Sequence, residues 1–217
     1  ESGEVYSWGH NSHGQLGLGP INCTQPPALV LGALAGQRVT AIACGAYHSA
    51  ALTESGELFT WGLNSSGQLG LGNNVNENTP RKVPFHNRFL KAVACGHKST
   101  MVLTESGEVF AWGSNEYGQI GSGNEVNQHS PYLVDKLAKH AVITQIACGY
   151  AHSLAVSDTG ELYVWGSNQC GQNLRRRSLK RLQHHCCIEQ AGQDLHVGQH
   201  PRSDSIDSSG DTIRAGK

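Results

Sequence analysis

A chain of 217 residues is long enough for one fair-sized domain, and its 27 glycines are about one residue in eight, against an average of roughly 7%. A formal net charge of −1 gives no overall basic field for nucleic acid or an anionic membrane surface. The apolar runs are only a handful of residues long, whereas a membrane-spanning helix needs about 20, so the composition excludes such a span.

Several short motifs recur along the chain with one period. The four tryptophans are spaced by 53, 51 and 53 residues, each is followed by glycine, and a Gly-Gln pair begins six residues after each. An Ala-Cys-Gly motif and a Glu-Ser-Gly-Glu or Asp-Thr-Gly-Glu motif keep the same period. The repeats define three full units and the start of a fourth, at residues 3–55, 56–106, 107–159 and 160–173.

In chain order, each unit begins with a predicted strand such as 5–8, in which the side chains alternate between two faces. A second strand is predicted around residues 28–30, and Pro27 before it suits a sheet edge. A third strand, at 39–44, ends in Cys-Gly. A fourth, at 49–53, is separated from the next unit only by Glu-Ser-Gly, which predicts a tight hairpin. Four short antiparallel strands in about 52 residues match one blade of a β-propeller.

The combined pattern resembles the repeat of the regulator of chromosome condensation family. Over residues 1–173 it shows an aromatic residue before Trp-Gly, then Asn, Gly-Gln-Leu-Gly-x-Gly and Ala-Cys-Gly-x-x-His-Ser. Members of this family are seven-bladed β-propellers, and the units look closest to the propellers linked to BTB domains or ubiquitin ligases. The sequence departs from the pattern at Ser99, where His48 and His152 stand in other units, and at Asn173, where leucine is expected.

The resemblance implies an all-β fold: a partial β-propeller of four-stranded antiparallel blades. Three units and the opening strand of a fourth cannot close a seven-bladed ring, so we expect a segment of a longer protein or an incomplete product. Residues 174–217 carry a net charge of +3, against −4 for residues 1–173, and contain no repeat motif. We predict a basic and then polar, disordered tail. Its basic run, 174–181, leaves open a nuclear-localisation patch, a solvated helix start or non-native sequence.

The recurring tryptophans, cysteines and histidines are predicted to be structural. Cys44, Cys95 and Cys148 occupy one position in separate units, so we interpret them as small buried hydrophobic residues rather than as a metal site or disulfides. His48 and His152 are interpreted as satisfying hydrogen bonds inside their own blades. The same structural role is predicted for the tryptophans, which are Trp8, Trp61, Trp112 and Trp165.

The sequence predicts no catalytic residue, no metal site and no cofactor. No nucleophile with a base partner and no pair of carboxylates stands out, so we expect a non-enzyme without a small-molecule substrate. The glycine-rich segment 67–72 occurs three times and precedes no helix, unlike a phosphate-binding loop. The run 184–187 contains two histidines and two cysteines but lacks the spacing of a zinc site. An odd number of cysteines without a signal peptide predicts a reducing compartment, the cytoplasm or the nucleus.

Function is therefore expected in the residues that vary between units, which lie in the loops after Trp-Gly. The predicted partner-binding residues are Asn64, Ser65, Asn115, Glu116 and Tyr117, with Tyr117 as the one aromatic expected to be exposed. We expect a non-catalytic scaffold for protein partners, including ubiquitin-ligase components. The alternative is guanine-nucleotide exchange on a small GTPase, as the resemblance to the family's namesake implies. The mildly acidic repeats argue against this alternative.

We predict that the isolated chain associates with itself, because a propeller segment leaves apolar sheet faces without a neighbour. Size-exclusion chromatography with light scattering should show dimers or larger species whose share grows with protein concentration. A stable monomer that unfolds cooperatively would contradict this prediction.

Overall fold

The computed structural model describes residues 2–21, 25–85 and 88–169. These residues form short strands, one 3-10 turn at Gly32–Leu34 and one helical turn, α1, at Asp135–Ala138. No helix among the described residues is long and apolar enough to cross a membrane. The strands are β1 (Tyr6–Gly9), β2 (Gln25–Leu29), β3 (Val39–Cys44), β4 (His48–Thr53), β5 (Leu58–Gly62), β6 (Glu77–Lys82), β7 (Leu90–Cys95), β8 (Ser99–Thr104), β9 (Val109–Gly113), β10 (Gln128–Leu133), β11 (Ile143–Cys148), β12 (His152–Ser157) and β13 (Leu162–Gly166).

The strands form four antiparallel sheets, which confirms the all-β class and the partial propeller. Sheet one is the pair β1–β2, sheet two contains β3 to β6, sheet three contains β7 to β10, and sheet four contains β11 to β13 among the described residues. In sheets two and three the strands follow one another in chain order from one edge to the other. The predicted tail, 174–217, lies outside the described residues.

The sheets do not coincide with the sequence units. In the unit 3–55, β1 and β2 belong to sheet one, whereas β3 and β4 begin sheet two. Each complete sheet therefore takes two strands from each of two consecutive units, and the predicted tight hairpin at Glu-Ser-Gly joins them. The reason is the short turn 54–57, which is long enough only for a hairpin, so β4 at the end of one unit pairs with β5 of the next.

Apolar layers fill the space between adjacent sheets. The first strands of successive sheets are neighbours, since β7 contacts β3 and β4, and β11 contacts β7 and β8. One cluster, around Phe59 and Trp61, lies between sheets one and two, and the next, around Leu58 and Trp112, lies between sheets two and three. Each sheet is thus covered on both faces only where it has a neighbour on each side.

One backbone carbonyl in each outer connection between strands accepts two hydrogen bonds from the following sheet. The Gln68 carbonyl oxygen accepts from the Trp112 indole Nε1–H at 3.0 Å and from the Thr100 hydroxyl at 2.8 Å. The glutamine, tryptophan and hydroxyl residues of the other two such contacts are Gln15, Trp61 and Ser49, and Gln119, Trp165 and Ser153. We call this contact the glutamine joint.

The glutamine joint explains the glycine two residues after each glutamine. Gly70 has a φ of +73°, and a Cβ atom at this position would lie 2.6 Å from Nε1 of Trp112. A larger residue would therefore be strained and would also push the indole away from the Gln68 carbonyl. The repeated Gly-Gln-Leu-Gly sequence therefore marks where the tryptophan of the next unit packs.

Trp8 does not make this contact. It is the first tryptophan of the chain, so no earlier glutamine of the chain faces it, and 63% of its surface is exposed. Among the described residues, Trp8 therefore lacks the buried position predicted for it, whereas Trp61 and Trp112 are fully buried.

Replacing Trp112 by phenylalanine should lower the free energy of unfolding by about 2–3 kcal/mol, because it removes the indole hydrogen bond and leaves a small cavity. The matched variant Trp8→Phe should change it by less than about 0.5 kcal/mol, since the Trp8 ring is exposed. Urea unfolding followed by far-UV circular dichroism measures both values. Equal losses in the two variants would show that the glutamine joint contributes nothing specific to stability.

Candidate protein-interaction site

One end of the sheets carries the loops that differ most between units. The pairs His48↔Gly62 and Ser99↔Gly113 place the start of the second strand of a sheet beside the end of its third strand. Short inner loops and long outer loops therefore meet at this end, which we call the loop face. The inner loops are 45–47, 96–98 and 149–151, and the outer loops are 10–21, 63–76 and 114–127.

A buried asparagine holds each outer loop in shape. The Asn64 Nδ2 group donates to the carbonyl oxygens of Asn73 and Val75 at 2.9 and 3.0 Å, and its Oδ1 accepts from the Leu69 N–H at 2.9 Å. Asn64 has no exposed surface. The loop is therefore fixed from within by a fully satisfied amide.

Asn115 repeats this arrangement in the next outer loop. Its Nδ2 donates to the carbonyl oxygens of Asn124 and Val126 at 2.7 and 3.1 Å, and it is also fully buried. The prediction that Asn64 and Asn115 contact a partner is wrong for both side chains. Asparagine recurs three residues after each tryptophan, and this constancy is the sequence signal of a structural role. The carbonyl oxygens that they bind hold Asn64 and Asn115 inside the loops.

The other three predicted partner-binding residues lie on the surface. Ser65, Glu116 and Tyr117 are exposed at the tips of the outer loops. Tyr117 is the one aromatic residue of the predicted variable loops and is exposed, but Tyr47 and Tyr150 of the inner loops are exposed as well. The sequence signal for these two was their position between the glycine and the histidine of the Cys-Gly-x-x-His motif, where the residues differ between units.

The inner loops form a connected row. The Ala46 N–H donates to the His97 carbonyl and the His97 N–H donates to the Tyr150 carbonyl, each at 3.3 Å. The His97 and Tyr150 rings stack with centroids 4.2 Å apart, and Tyr47 packs on His13 at 4.9 Å. Partial burial and the neighbouring Lys98 lower the pKa of His97, so its ring is neutral at pH 7.

His48 links two sheets beneath this row. Because the Thr100 hydroxyl donates its hydrogen to the Gln68 carbonyl, it must accept from His48, whose Nε2 lies 3.0 Å away. Burial, with a smaller contribution from His97, lowers the pKa of His48 to about 4. The interpretation that His48 makes its hydrogen bond inside its own blade is wrong. His48 lies in β4 and its partner Thr100 in β8, and these strands belong to different sheets. His152 at the equivalent position is half-buried.

The recurring cysteines differ in burial. Burial raises the pKa of Cys148 to about 12 and that of Cys95 well above its usual value, so both are protonated, poorly nucleophilic thiols. The Cys148 Sγ faces the Ala94 carbonyl of the preceding sheet. Cys44 is exposed, contrary to the prediction, because sheet one contributes no inner strand against which it could pack.

The loop face is suited to non-covalent recognition. It offers aromatic rings and a neutral imidazole on loops that the buried Asn64 and Asn115 amides hold in place. Among the described residues, no group of three or more histidine, cysteine, aspartate or glutamate side chains could hold a metal ion.

The chain is similar in sequence to known proteins. A family model described as RCC1-like domain matches residues 1–200. The chain is 34% identical over 210 residues to the ultraviolet-B receptor UVR8 of Arabidopsis thaliana, covering 96% of this chain and 47% of the receptor. It is 41% identical over 169 residues to the human E3 ubiquitin-protein ligase HERC2, covering 76% of this chain and 3% of the ligase.

A solved structure of Prp20p from Saccharomyces cerevisiae, described with its binding to Gsp1p and histones, superposes with a TM-score of 0.66 at 28% identity. The superposition covers 76% of this chain and 42% of Prp20p. The chain thus spans less than half the length of each of these relatives.

The lowered pKa of His48 predicts a loss of stability in acid. The unfolded histidine titrates near pH 6.5 and the folded one near 4, so the unfolded state binds more protons between these values. Titration of His48 therefore does not lower the free energy of unfolding above pH 6.5. As the pH falls from 6.5 to 4, it lowers that free energy by about 3 kcal/mol.

The variant His48→Ser copies the residue that the chain itself carries at Ser99 and serves as the comparison. Urea unfolding between pH 4 and 7 should show a smaller loss of stability in the variant than in the native chain. Parallel pH profiles would contradict the role assigned to His48.

Proposed function

The chain belongs to the RCC1-like domain family, and from this membership we propose that it is a non-catalytic β-propeller scaffold that binds protein partners through its loop face. The family match covers the whole described part of the chain. Propellers of this kind present variable loops on a constant frame, and the binding specificity lies in those loops.

The observation that carries the proposal is the set of exposed aromatic residues on one rigid end of the sheets. Tyr47, Tyr117 and Tyr150 are 37%, 43% and 53% exposed. Tyrosine is enriched at protein interfaces because it combines a large apolar surface with a polar tip and few rotatable bonds. Since the inner loops are hydrogen-bonded to one another, binding a partner would cost little conformational entropy for ordering them.

The chemistry of the loop face indicates the kind of partner. Its charged groups are few and of both signs, with Lys98 beside the inner row and Glu116 and Glu125 on an outer loop. The neutral His97–Tyr150 stack favours apolar and aromatic side chains over a strongly charged ligand. We therefore propose a protein surface or loop with an apolar centre as the ligand.

Similarity to HERC2 supports a finer proposal, a role as the recognition part of a ubiquitin-ligase-related protein. The similarity covers 3% of that ligase, so it concerns a propeller segment and not the whole ligase. The role proposed for this chain within such a protein is therefore recognition of a protein partner.

Tyr117→Ser combined with Tyr150→Ser should weaken binding of a protein partner by roughly tenfold or more, because aromatic residues at interface centres dominate binding energy. The matched control is Phe89→Ser, since Phe89 is 53% exposed like Tyr150 but lies in the connection between β6 and β7 at the opposite end. Partners recovered by cross-linking and affinity purification would be titrated against all three proteins by calorimetry. Equal weakening by the Phe89 variant would contradict the placement of the site.

Guanine-nucleotide exchange on a small GTPase is the second candidate. The similarity to Prp20p, described with its binding to Gsp1p, favours it. Release of a fluorescent nucleotide from a panel of small GTPases, with and without the chain, tests it. Release accelerated by the native chain and lost in the Tyr117→Ser, Tyr150→Ser protein would favour exchange over the scaffold role.

A further inference from the structure

One buried side-chain donor of the loop face has no hydrogen-bond acceptor. Among residues 2–21, 25–85 and 88–169, the buried side-chain atoms without a partner are Nδ1 of His48 and Nε2 of Gln68. Gln68 has no exposed surface and lies in the outer loop of sheet two. A buried amide N–H without an acceptor costs folding free energy, so few native side chains are left in this state.

The glutamines of the three outer loops hold their side-chain amides in the same orientation. The Oε1 atom of Gln68 accepts from the Ser66 N–H at 2.9 Å. The corresponding pairs, at the same distance, are Gln15 with His13 and Gln119 with Tyr117. This shared hydrogen bond fixes which way each amide faces, so the three Nε2 groups face equivalent positions.

The residue two positions after each tryptophan decides whether the Nε2 group is paired. Gln15 Nε2 lies 3.2 Å from Nδ1 of His10, and Gln119 Nε2 donates to the Ser114 hydroxyl at 3.4 Å. In sheet two this position is Leu63, whose side chain cannot accept a hydrogen bond. The leucine therefore leaves the amide donor of sheet two unpaired.

Leu63 separates this donor from the surface and adjoins Tyr47. Its side chain stands where His10 and Ser114 carry their acceptors, and it is half-buried, whereas Gln68 has no exposed surface. The Leu63 N–H donates to the Tyr47 carbonyl at 2.8 Å, which holds the leucine backbone beside an exposed aromatic residue. Because this hydrogen bond involves only backbone atoms, the leucine side chain can change rotamer without breaking it.

We propose that Tyr47, Leu63 and Gln68 form a binding site in which Leu63 changes rotamer and Gln68 Nε2 donates to an uncharged main-chain carbonyl of a partner loop. We call it the carbonyl site. It rests on the function proposed for the loop face and adds a polar contact to it. The Tyr47 ring packs on the apolar side chain next to that carbonyl.

The charge of the site identifies the group that it binds. Residues 45–47 and 63–76 contain no lysine, arginine, aspartate or glutamate. A carboxylate in this site would lose its hydration without gaining a cation. A side-chain amide would bring two further N–H donors that need acceptors, whereas a main-chain carbonyl brings only an acceptor. The main-chain carbonyl therefore fits best.

Two variants at one position test whether the Gln68 donor lacks an acceptor. Leu63→Ser copies the residue at Ser114 and supplies a hydroxyl from within the chain, while Leu63→Ala removes the same apolar side chain and supplies none. The serine variant should melt about 2–4 °C above the alanine variant, because its hydroxyl satisfies the buried amide. Thermal unfolding followed by circular dichroism measures the difference. Equal melting temperatures would overturn the proposal.

The same variants test binding, with random dodecapeptides displayed on phage as the probe. Peptides are selected on the native chain and depleted on Leu63→Ser. Those that remain should bind Leu63→Ala as tightly as the native chain and Leu63→Ser roughly tenfold more weakly, because the serine hydroxyl occupies the amide donor. Equal weakening in both variants would mean that the peptides contact the leucine itself, and would overturn the proposal. A selection that yields no such peptide would overturn it too.

Alanine scanning of the selected peptides identifies the bound group. Discrimination between the two Leu63 variants should survive every single replacement, since a main-chain carbonyl is present whatever the side chain. Its loss on replacement of one acidic residue, or of one asparagine or glutamine, would overturn the main-chain assignment.

The partner of the loop face separates this proposal from the function on which it rests. If that partner binds the Leu63 variants and the native chain equally but loses affinity for the Tyr117→Ser, Tyr150→Ser protein, the carbonyl site fails and the scaffold function stands. Loss of affinity in Leu63→Ser and not in Leu63→Ala supports both.

Discussion

The structure depends on a backbone carbonyl that accepts hydrogen bonds from two donors of the next sheet. In each glutamine joint the carbonyl uses both lone pairs, one for an indole N–H and one for a hydroxyl. All these groups would be costly to bury alone, so the joint forms complete or not at all. It is also directional, because the acceptor lies in the outer loop of one sheet and both donors lie in strands of the following sheet. This direction sets the order in which sheets stack.

The joint has two consequences at the loop end of the sheets. His48 extends it, since the Thr100 hydroxyl that donates to the Gln68 carbonyl accepts a hydrogen bond from the histidine. Burial disfavours the charged form of this imidazole and lowers its pKa to about 4, so acid destabilises the packing of these sheets. On the loop face, the outer loops begin directly after the tryptophan and are closed by Asn64 or Asn115. Loops anchored so closely to a buried indole are rigid supports for exposed residues such as Tyr117.

The sequence predicted some features of the candidate site and missed others for one reason. Variation between units correctly drew attention to the loops, and it placed Ser65, Glu116 and Tyr117 on the surface. The prediction also included Asn64 and Asn115, although asparagine recurs three residues after every tryptophan and such constancy indicates a buried, structural side chain. Tyr47 and Tyr150 were missed because they sit inside an otherwise constant motif. Burial depends on contacts with residues far away in the chain, and spacing alone does not contain them.

The sequence by itself determined the repeat, its period, the all-β class and the glycine positions, since these follow from local backbone geometry that recurs every 50 or so residues. It also contained the short turn 54–57, which forces a hairpin between units. Only the tertiary structure decided where one sheet ends and the next begins, because strands pair with the neighbour that the turn allows and not with the rest of their own unit. Only the tertiary structure separated buried Trp112 from exposed Trp8 and buried Cys148 from exposed Cys44. Identical motifs differ in burial when one has a preceding sheet and the other does not.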